Sequence, residues 1–154
     1  MDTAQFKNIA RHWLTGVSVV TAAIEDQPFG ITLSALAPLS LAPSQFLICI
    51  DSKSGTLAAI EYCGAFCINV LAEQQTDLAT RFAQRGDRKF SRVTHRRGKL
   101  GMPILEDVVA YVECKVTMKM AGGDHVIVIG SAEDGVASGG RPLAYYNANL
   151  GGLE

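Results

Sequence analysis

The chain has 154 residues, 48% of them hydrophobic, which is enough for one domain with a real core and too little for two of ordinary size. Its 14 Lys and Arg nearly cancel 15 Asp and Glu, so no strong field recruits nucleic acid or an anionic membrane. No apolar run reaches the ~18 to 20 residues that cross a bilayer, and MDTAQFKNIARHWL lacks the basic-then-apolar order of a secretory signal, so a cytoplasmic protein is expected.

Between residues 2 and 14, Phe6, Ile9, Ala10, Trp13 and Leu14 recur at helical spacing behind Asp2 or Thr3 as a cap. VSVVTAAI is β-branched, ends at the turn Glu25-Asp26-Gln27-Pro28 and is followed by FGITLSAL, the pattern of a hairpin. Phe46 to Ile50 reads as a short strand. Ser54 then opens a helix through Thr56 to Ile60, and Ala65 to Leu71 returns to strand character. Thr76 or Asp77 caps a further helix whose apolar face is Leu78, Ala79, Phe82 and Ala83.

The stretch RGDRKFSRVTHRRGKLG carries most of the basic charge with little apolar periodicity and reads as an exposed, partly mobile loop. From Tyr111 to Met120 the alternation is clean. Val112, Cys114, Val116, Met118 and Met120 share one face, while Glu113, Lys115, Thr117 and Lys119 share a solvent face. Ala121-Gly122-Gly123 turns the chain into Val126 to Ile129. Strands outnumber helices and no parallel crossover is evident, so the expected fold is mainly β, an antiparallel barrel with peripheral helices in a single domain over 1–154.

Cys49, Cys63, Cys67 and Cys114 form no CxxC pair and sit in apolar stretches, which suits buried small hydrophobes better than reactive thiols. His12, His95 and His125 have no metal-ligand spacing, and GxSxG, P-loop and GxGxxG motifs are all missing, which argues against metal, acyl-transfer and Rossmann chemistry. What remains are hydroxyl-rich turns at strand ends, Thr32-Leu33-Ser34 and Asp51 to Thr56. The second leads into a helix start, where free N–H groups, the helix dipole and hydroxyls suit a phosphate, although plain capping by Ser54 explains the same residues. His125, after Gly122-Gly123-Asp124, reads on spacing alone as a turn histidine bonded to backbone.

These segments together resemble the short-chain flavin reductases, the FMN-binding split-barrel reductases of two-component monooxygenases. The resemblance runs from Phe6 to Leu150 through LTGVSVVTA, PFGITLSALAPLSLAP, FLICIDSKSGTLAAI, FCINVLAEQQTDLATRFA, DRKF before LGMPIL, AYVECKV, GGDHVIVIG and PLAYYNANL. Ala35 stands where many members carry Ser, and Ser44 where a second Pro is usual. The resemblance implies an antiparallel split β-barrel and an NAD(P)H:flavin oxidoreductase that supplies reduced flavin to a separate oxygenase. It implies FMN or FAD with NADH or NADPH, and a homodimer with flavin near the interface; Trp13 fits that interface or the core.

Carried onto this sequence, the resemblance places Thr32, Leu33, Ser34 and Ala35 along the isoalloxazine edge. Asp51, Ser52, Lys53, Ser54 and Thr56 fall on the ribityl chain and phosphate, and Arg88 or Lys89 over the anion. His125, Tyr146, Asn147, Ala148 and Asn149 border the nicotinamide, with His125 in an orienting role. The competing readings are an FMN-binding electron carrier or sensor without a nicotinamide site, and a relative of the pyridoxamine phosphate oxidases, for whose two phosphorylated ligands the sequence shows little basic pocket.

Overall fold

The structure is a computed structural model and describes residues 1–153. It opens with helix α1 (Thr3–Ala10), capped by Asp2, whose Oδ1 accepts the Gln5 N–H at 2.8 Å. The helix is shorter than its periodicity suggests. The chain leaves it before Trp13 and enters the short strand β1 (Thr15–Gly16).

The β-branched run forms β2 (Ser18–Ile24), which turns at Glu25 and Asp26 into β3 (Gln27–Leu33), the expected hairpin. There follow β4 (Leu36–Leu41), β5 (Ser44–Asp51), α2 (Gly55–Cys63), β6 (Ala65–Val70) and α3 (Thr76–Ala83). The remainder comprises β7 (His95–Arg97), β8 (Pro103–Leu105), the long hairpin β9 (Ala110–Gly122) and β10 (His125–Ala137), and a last hairpin of β11 (Ala144–Tyr146) and β12 (Asn149–Gly151).

Seven strands form one antiparallel sheet in the order β3-β2-β6-β9-β10-β5-β4, and β3 also meets β5, so the sheet curls toward closure. That is the mainly antiparallel architecture expected of a split barrel. Its interior holds Val20, Ile48, Ile50, Phe66, Ile68 and Val128, with Leu57, Ala59 and Ile60 of α2 packed among them. The opposite face of β2 sends Val19 into a second cluster with Leu71, Ala79, Phe82, Leu105 and Leu143. Period-two alternation places one strand between two cores.

Three expectations fail. Glu113 was expected on the solvent face of β9 but is 0% exposed. Its Oε1 accepts N–H bonds from Leu100 and Met102 at 3.1 Å, while Oε2 has no partner. Register shifts between β9 and β10 interrupt the simple alternation, and the 98–102 segment covers what would have been an open face.

The basic segment is correspondingly not a free loop. Its Phe90 ring stands edge-on to Phe82 at 4.9 Å, and β7 pairs with β8. Asn69, buried in β6, accepts the Leu105 N–H at 2.8 Å and donates to Val19 O and Thr21 Oγ1, both at 3.2 Å. The cap of α3 also differs. Gln75 precedes the helix with no side-chain cap bond, because its amide accepts from Ala72 N and donates to Glu106 O.

Candidate flavin site

The most convergent depression, of ≈ 550 Å³, lies where β3, the 51–56 turn and the segment after α3 meet. The turn is rigid for local reasons. Asp51 Oδ1 accepts the Lys53 N–H at 2.7 Å, Asp51 O accepts the Ser54 N–H at 3.0 Å, and Ser54 Oγ accepts the Thr56 N–H at 3.2 Å as the cap of α2. The first turn of a helix leaves N–H groups without intrahelical partners, and its dipole favours an anion there. Phosphate chemistry is thereby built into the backbone.

Lys89 lines the same depression, and its Nζ donates to Gly30 O at 3.1 Å and Phe82 O at 3.2 Å. Partial burial pushes its pKa below the ordinary lysine value, because the charged form loses water. Two carbonyls hold the ammonium but do not neutralise it, which leaves its charge available to an anionic ligand. Between the polar ends, Phe29, Ile31 and Phe90 supply apolar wall. A cation, a helix start and a flat apolar lining are the donor set that a flavin phosphate and ring need.

His125 adjoins the same turn. It pairs in register with Asp51 across β10 and β5, and Ser52 N donates to Asp124 O at 3.0 Å. Its Nδ1 bonds Asp124 Oδ1 at 2.7 Å, so the partner is a side chain and not the backbone. That hydrogen bond, with the nearby imidazole charge, holds the Asp124 carboxyl below the ordinary aspartate range. A carboxylate so placed fixes ring orientation.

The remaining candidates divide. Thr32 gives its hydroxyl to Ala79 O at 2.6 Å and Leu33 is buried in the core, whereas Ser34 and Ala35 are exposed. They line a separate depression with Trp13, Leu14 and Tyr145, which shares no residue with the one at the 51–56 turn. Trp13 is 74% exposed, which removes it from the core of this chain. Of the two basic candidates, Lys89 lines the site with the 51–56 turn and Arg88 lines an adjacent groove.

Tyr146, Asn147, Ala148 and Asn149 form the tight turn of the last hairpin, with Asn147 and Ala148 at positive φ. Asn147 N donates to Arg11 O at 2.7 Å, which seats the turn at the end of α1 and not at His125. Sequence reasoning missed Gly30, whose close approach to Phe82 leaves 2.7 Å for any Cβ, and Phe90. A glycine inside a β-strand was the available signal for the first.

Residues 10–154 match the flavin reductase like domain. The chain belongs to the flavin reductase-like domain family. It is 38% identical over 151 residues to the reductase component of a 4-nitrophenol 4-monooxygenase/4-nitrocatechol 2-monooxygenase of Rhodococcus opacus, covering 98% of this chain and 81% of that protein. A flavin reductase of Pseudomonas putida is 35% identical over 99% of this chain and 91% of its own. The crystal structure of a nitrilotriacetate monooxygenase component B homologue from Mycobacterium thermoresistibile superposes with TM-score 0.95 at 33% identity, covering 99% of this chain and 87% of that one. In this flavin reductase-like domain, the split-barrel expectation and the family expectation therefore both hold.

Proposed function

We infer that this chain is an NAD(P)H:flavin oxidoreductase that supplies reduced flavin to a separate monooxygenase component. The convergence of the 51–56 turn, the start of α2 and Lys89 on one depression carries the site assignment. Bound FMN or FAD would supply the hydride acceptor, with NADH or NADPH as donor.

Asp51, Ser52, Lys53, Ser54 and Thr56 hold the phosphate and ribityl end, and Lys89 balances its charge. Phe29, Ile31 and Phe90 exclude water beside the ring. Of the four edge residues, Ser34 and Ala35 are the ones that border the isoalloxazine, since the Thr32 hydroxyl is bonded to α3 and Leu33 is in the core. His125, held by Asp124, orients the nicotinamide and carries no essential proton.

The protein works in the cytoplasm as a homodimer. A large apolar surface supports that assembly: Phe6, Ile9, Trp13 and Leu14 stand exposed at the start of the chain. Across the outer sheet face, Met118 pairs with Ile129, which pairs in turn with Leu47, and Met120 with Ile127, which pairs with Cys49. Clusters of exposed apolar side chains of this kind commonly mark an interface. Tyr146 to Asn149 serve the nicotinamide side across this interface, because within one chain they pack on α1.

Anaerobic mixing of the protein with excess flavin and NADH or NADPH tests the reading. Loss of the yellow flavin absorbance over many turnovers is expected; no bleaching with either nucleotide defeats it in favour of an electron carrier. His125→Ala should raise the nicotinamide KM more than it lowers kcat. A loss confined to kcat would assign His125 another role.

A further inference from the structure

Beside the flavin depression lies a second groove, of ≈ 590 Å³, between α3 and the segment that follows it. The two depressions share Gln84, Arg85, Gly86, Asp87 and Lys89 as a common wall, whereas Arg88 lines only the second, so a ligand that ends in one can continue across Gly86 into the other. Four cations line the groove, Arg81, Arg85, Arg88 and Lys89, against two carboxylates, Asp77 and Asp87. Arg81 Nη1 donates to Ser91 O at 2.8 Å. Among the described residues, neither Arg85 nor Arg88 has a side-chain hydrogen bond or an ion pair.

Compensating the negative C-terminal end of α3 would account for one or two basic side chains near its last turn. It does not account for Arg88, five residues beyond the helix, or for two unpaired guanidinium groups around open space. Planar guanidinium groups bind phosphate oxygens in pairs, and this arrangement suits a second phosphate.

We propose that this groove takes the adenosine phosphate half of FAD, so that FAD is the flavin this reductase binds best and Arg88 is its specificity-determining residue. The proposal rests on the flavin reading of the neighbouring depression and extends it. A phosphate at the 51–56 turn is common to FMN and FAD; only FAD has a second phosphate to place beyond it. Riboflavin has neither.

The test is equilibrium binding of riboflavin, FMN and FAD to the whole protein, followed by quenching of flavin fluorescence. It is repeated with an Arg88→Gln variant, at a residue that lines the second groove and not the flavin depression, whose fold is checked by thermal melting. Wild type should bind FAD about tenfold or more tighter than FMN, as charge-assisted contacts to one further phosphate allow. The variant should lose that margin while keeping its affinity for FMN and riboflavin. Equal affinity for FMN and FAD in wild type would overturn the proposal, as would an equal loss for both in the variant.

NADH and NADPH also carry a diphosphate. If the variant raises their KM values while FAD binding is untouched, the groove serves the nucleotide and the proposal falls. Failure of every flavin to bind would defeat the flavin reading of the first depression, and this one with it.

Discussion

Replacing Glu113 with Ala removes the acceptor of two buried N–H groups, those of Leu100 and Met102, each at 3.1 Å from Oε1. Hydrogen bonds to a charged acceptor contribute about 1.5 to 3 kcal/mol each, and a buried donor left without a partner bears its own desolvation cost. Part of that loss is offset, because the variant also removes Oε2, which has no hydrogen-bond partner among the described residues. The net cost should be about 3 kcal/mol, which in a domain of this size lowers Tm by about 6 to 12 °C.

Glu113→Gln keeps an oxygen for both donors and discards the charge, so it should cost only about 1 to 2 kcal/mol. Calorimetry gives the stability change. Amide exchange at Leu100 and Met102 reports whether the 98–102 segment has come free. An Ala variant that melts within about 2 °C of wild type, or that keeps both amides protected, would refute the view that this carboxylate holds the segment down.

Lys89→Met should weaken FMN binding by about 10- to 100-fold and leave riboflavin within about twofold, since only FMN presents a phosphate to the ammonium; an equal loss for both flavins would remove Lys89 from the anion site. Thiol labelling of the native protein should reach at most Cys49 and Cys63, which are partly exposed. Burial pushes Cys114 up to about 12 and Cys67 higher still, so both should label only after unfolding, and native labelling of either would contradict the core packing. Met118→Lys combined with Met120→Lys should shift sedimentation from dimer to monomer by placing charge on the outer sheet face. A dimer of undiminished affinity would locate the interface elsewhere.

Local signals carried much of the fold. The β-branched run before Glu25 and Asp26 specified the first hairpin without help from distant residues, and Ser54 announced both α2 and the anion-suited turn. What sequence could not supply was partnership across long separations. Glu113 reads as a surface residue until the 98–102 backbone is laid over it, and the basic segment reads as loose until Phe90 meets Phe82 and Asn69 captures Leu105. Arg88 and Lys89 are neighbours in sequence, but only Lys89 reaches the depression at the 51–56 turn, a distinction no alignment of DRKF could make. The apolar stripe of α1 was legible as a stripe. Its exposure was not, because periodicity identifies a face to be covered without naming the cover.

The placement of β2 between two apolar clusters makes it a shared wall, with Val20 and Ala22 turned one way and Val19 the other. Neither half of the molecule can open without exposing that strand, so the barrel and the α3 side should melt together in a single cooperative transition. Damage on either side of the wall then reaches the other.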